Sequence, residues 1–213
     1  MNQAFQRRTD KEKHQSGDYY NGPDRYYDQI TEHTIVKIYS GGCYSTDTKG
    51  EMLVTILGSC IACCIHDPML NIGGMNHFLV PGDELATSGS TPRHGVHAME
   101  LLINGLIKLG ASKSRMQAKI FGGASLLQSS TAQIGAKNIV FVKRFLSNEN
   151  IPIISEDVGG NFPRRLHYHP DTGKAMLRKL QRQDDLKIVE KEKQYIDSLQ
   201  KTKQDESDDV TLF

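Results

Sequence analysis

Cys60 and His77 are the residues of this chain whose types and spacing best suit nucleophilic chemistry. Cys60 follows Gly58-Ser59 at a break between two strand-like apolar runs, Met52–Ile56 and Ile61–Ile65. A sharp turn at a strand end lifts a nucleophile out of its sheet and aims neighbouring backbone N–H groups at one point. His77 closes the stretch Gly73-Gly74-Met75-Asn76-His77, seventeen positions later. If the two strands are neighbours, that interval brings the imidazole back toward the thiol. A free thiol, with a pKa of about 8.5, is mostly protonated at neutral pH, and a nearby imidazolium stabilises the thiolate. Each residue also has a plainer reading: Cys is a common small core residue, and a lone His is often a hydrogen-bonded structural one.

Cys63, Cys64 and His66 crowd behind Cys60 and invite a zinc or redox reading. Extended-chain geometry opposes it. At about 3.3 Å per residue, Cys60 and Cys64 would stand roughly 13 Å apart. Zinc-bound sulfurs lie about 2.3 Å from one ion, and a disulfide needs Cα atoms about 4.4–6.8 Å apart. Ile61-Ala62 supplies no turn to close that gap, and Cys63 and Cys64 read as core. No metal and no cofactor is therefore expected. His94, His97, His167 and His169 have no comparable context; His167 and His169 would share one face of a strand, read as solvated. Walker A, G-x-S-x-G, H-E-x-x-H and G-x-G-x-x-G patterns are missing. Gly122-Gly123 and Gly159-Gly160 each follow a strand-like run, and either line a site or turn the chain.

These residues need a scaffold, and the pattern supplies one. Strands are expected at Ile35–Ile38, Met52–Ile56, Ile61–Ile65, Ile72–Val80, Ala118–Phe121 and Ile151–Ser155. Val96, Met99, Ile103 and Leu106 repeat with helical spacing and stop at Gly110; Ile139, Val142 and Leu146 mark a second helix over roughly 137–146. Arg165–His169 and Lys174–Leu180 flank Pro170-Asp171-Thr172-Gly173 as a hairpin. The class is α/β, with a mixed sheet or a pair of sheets and packed helices. Residues 1–29 read as a mobile polar segment whose Tyr19, Tyr20, Tyr26 and Tyr27 dock locally, residues 30–181 as the domain, and residues 182–213 as a charged, partly helical tail.

Composition bounds the function class. The 213 residues carry 26 Lys+Arg against 25 Asp+Glu, a net charge of +1 that offers nucleic acid or anionic lipid no global field. No apolar run is long enough to span a bilayer, and residues 6–15 (QRRTDKEKHQ) are followed by no signal-peptide core. Four Cys, three of them crowded, do not make a secreted disulfide framework. A cytoplasmic, soluble, single-domain monomer is the expectation.

The chain as a whole resembles the CheD family, the chemoreceptor glutamine deamidases of bacterial chemotaxis. The resemblance is carried in order by Thr55–Cys60 (TILGSC), Asp67-Pro68, Gly73–Phe78 (GGMNHF), Met99–Asn104 (MELLIN), Ala118–Ala124 (AKIFGGA), Ile134–Asn138 (IGAKN), Asp157–Gly160 (DVGG) and the ending Asp209–Phe213 (DVTLF). It implies an α/β sandwich related to deamidating toxin domains. It also implies hydrolysis of receptor Gln side chains to Glu, with action on Glu methyl esters as well. The family's nucleophile falls on Cys60, its His on His77, and its third functional position, a Thr shortly before the Cys, on Thr55. Some members place that Thr one residue further from the Cys than this chain does; a bend near Gly58 would absorb the difference. Ser59, Gly58 and Asn76 are the expected oxyanion and substrate-lining positions. Receptor helices are the implied substrate, a CheC-type phosphatase a further partner, and a non-catalytic regulatory module the competing function.

Overall fold

The computed structural model describes residues 24–80, 93–125 and 131–180, together with Glu190, Gln194 and Tyr195. Residues 81–92 lie outside the described residues, and Arg93 and His94 open a helix. Tyr19, Tyr20 and the ending at 209–213 lie outside the described residues.

Ten strands and two helices follow in chain order: β1 (Asp24–Asp28), β2 (His33–Lys37), β3 (Cys43–Thr46), β4 (Glu51–Leu57), β5 (Ile61–Asp67), β6 (Ile72–Phe78), α1 (Arg93–Lys108), β7 (Gln117–Gly122), α2 (Thr131–Asn148), β8 (Ile153–Val158), β9 (Arg164–His169) and β10 (Lys174–Lys179). They form two five-stranded sheets, an outer one in the order β1-β2-β4-β9-β10 and a central one in the order β3-β6-β5-β7-β8. Both are mixed: β2 runs parallel to β4 and β7 parallel to β8, while the remaining pairs are antiparallel. The pair of sheets is the arrangement adopted.

Side-chain alternation along β5 shows the layering. Ile61, Cys63 and Ile65 pack with Met99, Leu102 and Leu106 of α1 and Val142 and Leu146 of α2. Ala62 and Cys64 turn the other way and pack with Val36, Leu53, Leu57, Leu166 and Tyr168 of the outer sheet. The central sheet is thus covered on both faces, which is why β5 opens on the unbroken apolar run Ile61–Ile65 rather than an alternating one. Tyr168 ties the layers, donating its hydroxyl hydrogen to the Ile65 carbonyl at 3.1 Å. Beyond β5, the buried Asp67 accepts from the Ser112 and Met69 backbone N–H groups at 2.9 and 3.1 Å and from Arg115 Nε and the Arg115 guanidinium at 3.0 and 2.7 Å.

Four elements depart from the sequence-based expectation. Residues 24–28, placed in the mobile N-terminal segment, form β1 and pair with β2 in register Tyr26↔Ile35. Its side chains are mostly exposed, so no apolar face announces the strand. β3 was not anticipated; Cys43-Tyr44-Ser45-Thr46 has too few apolar residues to mark a strand, and pairing with β6 holds it. β8 lies at Ile153–Val158 rather than 151–155, an edge strand with an exposed centre where alternation is weak. The second helix extends to 131–148, past the apolar stripe that marked it at 137–146.

Candidate active site

The chain leaves the outer sheet at Leu57, bends through Gly58-Ser59-Cys60 and enters the central sheet at Ile61. Three residues make the crossing, and each backbone carbonyl in it is held. The Ala124 N–H donates to the Gly58 carbonyl at 2.7 Å and the Gly123 N–H to the Cys60 carbonyl at 2.8 Å. Asn138, fully buried on α2, donates its Nδ2–H to the Ser59 carbonyl at 3.2 Å. Its Oδ1 accepts the Val80 N–H at 3.0 Å, so one amide clamps the thiol's turn and the exit from β6 together. Gly122 has φ +107, and a Cβ there would overlap the Cys60 carbonyl oxygen, so only glycine admits this approach. Gly122-Gly123 therefore shapes the bend that presents Cys60.

β6 returns His77 to that bend. His77 is paired with Ala62, two residues after Cys60, and Cys60 and Ala62 both pack in the cluster between the sheets. The imidazole is fixed from the opposite sheet. Thr55 Oγ1 lies 2.7 Å from the Ile38 carbonyl and 2.8 Å from His77 Nδ1. A carbonyl can only accept, so the single hydroxyl proton goes to Ile38, and Nδ1–H must donate to Thr55 Oγ1. The neutral ring then carries its lone pair on Nε2, the nitrogen able to take a proton. Ser40 Oγ stands 3.2 Å from that Nε2. Below, the Gly41 N–H donates to the His77 carbonyl at 2.7 Å, and the His77 N–H donates to the Gly42 carbonyl at 2.9 Å. Backbone and ring of His77 are both held.

All four cysteines are free thiols. Burial pushes the Cys43 thiol up to about 12, and burial likewise holds Cys63 and Cys64 well above the ordinary value, which keeps them protonated and inert. Cys63 faces the helices while Cys60 and Cys64 face the outer sheet, so the cysteine cluster does not converge on one point. Among the described residues, no group of three or more His, Cys, Asp or Glu is placed to hold a metal ion.

A family model described as CheD chemotactic sensory transduction matches residues 79–179, beginning two residues after His77. The chain is 43% identical over 179 residues to a "probable chemoreceptor glutamine deamidase CheD 1" of Shewanella oneidensis, covering 82% of this chain and 86% of the relative. It is also 43% identical to a "probable chemoreceptor glutamine deamidase CheD" of Saccharophagus degradans, over 89% of each chain. The chain belongs to the CheD family. Among solved structures, the Bacillus licheniformis hypothetical protein YfiH aligns with 13% identity and a TM-score of 0.37 over 54% of this CheD-family chain and 49% of that one.

Within this CheD-family fold, Thr55 and His77 are in direct contact, and Gly58, Ser59 and Cys60 form the bend beside them. Asn76 is not brought to that cluster. Its side chain faces α1, accepting the Cys63 N–H at 3.0 Å and donating to the Ala98 carbonyl at 2.9 Å. It stitches β5 and β6 to the helix layer. Three residues at or beside the site escape a reading of types and spacing. Ser40 sits in a Gly-rich turn with no local mark. Asn138 had a signal, its place in the Ile134–Asn138 stretch of the resemblance, without a role attached. Tyr195 lies in the charged tail, where neither type nor spacing marks it.

Proposed function

We propose that this CheD-family protein hydrolyses glutamine side chains of bacterial chemoreceptors to glutamate, with Cys60 as nucleophile and His77 as its acid–base partner. The observation that carries the reading is the relay Ile38–Thr55–His77, which sets a basic Nε2 on the face of the central sheet that Cys60 shares. The names of the relatives support the substrate class.

In the proposed cycle, His77 Nε2 takes the Cys60 proton and the thiolate attacks the carboxamide carbon. Backbone N–H groups at the Ser59-Cys60 bend face the developing oxyanion. Collapse of the adduct breaks the C–N bond, and the imidazolium returns its proton to the departing ammonia, leaving a thioester on Cys60. Water, deprotonated by His77, attacks the thioester; glutamate leaves and the thiol is restored. One water is consumed and one ammonia released, so no cofactor enters. A glutamate methyl ester would follow the same course with methanol as the leaving group. A cytoplasmic location follows from receptor helices as substrate, and a CheC-type phosphatase is a further partner on this reading. Among the described residues, no helix is long and apolar enough to cross a membrane.

Mass spectrometry of an unmodified cognate receptor fragment, incubated with wild type or with Cys60→Ala, tests the proposal. Gln-to-Glu conversion at defined sites by the wild type alone is the expected result. Turnover by Cys60→Ala removes the cysteine mechanism. Receptor binding without conversion by the wild type replaces the enzyme with a regulatory module.

A further inference from the structure

The thiol of the proposed reaction is sealed. Cys60 has no exposed surface, and Ser59 and His77 keep only 3% and 4% of theirs. A glutamine carried on a folded receptor cannot reach a sulfur in that state, so a covering group has to leave.

Tyr195 is such a group, and it belongs to neither sheet. Its ring packs against the inter-sheet cluster that contains Cys60, Val36 and Ile38, while helical Gln194 beside it is exposed. The ring rests on Gly41 so closely that a Cβ at that position would lie 2.8 Å from the phenol oxygen and 3.1 Å from Cε2. Gly41, at φ +84, donates its N–H to the His77 carbonyl at 2.7 Å, so the ring lies on the segment that holds the backbone of His77. Burial first, and proximity to Cys60 second, push the Tyr195 phenol up to about 12, which keeps it neutral against the cluster.

The ring lies against the Gly41 turn that holds His77 and against the cluster that contains Cys60, so it occupies space beside both proposed catalytic groups. It stands outside both strand ladders, and a segment outside the ladders opens more readily than the sheets do.

We infer that the Tyr195 ring covers the approach to Cys60, and that a substrate segment reaches the thiol only by displacing it. This rests on the reading of Cys60 as nucleophile and adds to it a residue that decides which segments gain access.

The test measures alkylation of Cys60 by iodoacetamide in the full-length chain, followed by peptide mass spectrometry at a pH where the rate has reached its plateau. Tyr195→Ala is expected to raise the plateau rate about tenfold or more, and Tyr195→Phe, which keeps the ring, to stay within about twofold of wild type. A Tyr195→Ala rate at or below wild type overturns the inference. So does a Tyr195→Phe rate equal to that of Tyr195→Ala, because the hydroxyl rather than the ring would then matter. Cys63 and Cys64 must remain unlabelled. If Tyr195→Ala exposes them by unfolding, Tyr195→Leu decides by the same criterion. Alkylation needs no receptor, so a wild type that converts no receptor glutamine removes the deamidase reading and leaves the access result standing.

Discussion

Thr55 has one proton and two buried neighbours placed to receive it. The Ile38 carbonyl, at 2.7 Å, takes it, and that choice fixes the tautomer of His77. Thr55→Val keeps the shape and removes both bonds. It leaves the buried Ile38 carbonyl and Nδ1–H unmatched, and the ring is free to turn or to exchange its proton. The expected result is a fall in deamidation of about 100-fold, with Thr55→Ser recovering most of it, because the hydroxyl is the working group. Rates on a receptor fragment, with the pH profile of each variant, check this; a Thr55→Val enzyme with wild-type rate and profile would mean that Thr55 is only packing. Cys60 and His77 were legible from type, turn and interval. Ser40 was not, because its contact with Nε2 is closed across 37 positions by the path of the chain from β2 to β3.

At the level of the elements, the Gly58-Ser59-Cys60 bend is shaped by its neighbours. β7 ends in Gly122, whose positive φ and missing side chain admit the Cys60 carbonyl, and α2 contributes the Asn138 amide. Asn138→Leu fits the volume but strands the Ser59 carbonyl and the Val80 N–H in a buried place. A loss of about 2 kcal/mol is expected, read as a lower urea midpoint, together with a rate loss at neutral pH. Gly122→Ala meets both a backbone overlap and an unfavourable φ; it is expected to cut the deamidation rate more deeply than Ala at exposed Lys108, with thermal melting recording the accompanying loss of stability. The existence of both elements was visible from Ala118–Phe121 and from the 137–146 stripe. Their hold on the Cys60 bend was not, since hydrogen bonds over 79 and 58 positions leave no periodic trace.

For the whole molecule, Asp67 ties a buried charge to the stability of the fold. It is completely buried, which works against ionisation, yet Arg115 and the Ser112 and Met69 N–H groups outweigh burial and hold its carboxyl down to about 2 from the ordinary 3.8. A carboxyl whose folded pKa is depressed stabilises the fold fully above about pH 4 and gives that contribution up as pH falls through about 2. Asp67→Asn is therefore expected to cost about 2 kcal/mol at pH 7, and the gap between variant and wild type should close between about pH 4 and pH 2. Thermal melts across that range check it; a gap independent of pH would assign the loss to packing.

The sequence by itself determined the α/β class, most of the strands and both helices, because apolar periodicity is a local property written residue by residue. It also singled out Cys60 and His77 as the candidates, because nucleophilic and acid–base chemistry belongs to their side chains. The tertiary structure decided that the strands divide between two sheets, that Cys60 stands at the crossing, and that Thr55 reaches His77 from the opposite layer. It alone placed Ser40, Asn138 and Tyr195 around the thiol. Those placements rest on contacts between segments distant in the chain, and such contacts are fixed only when the layers close over a common core.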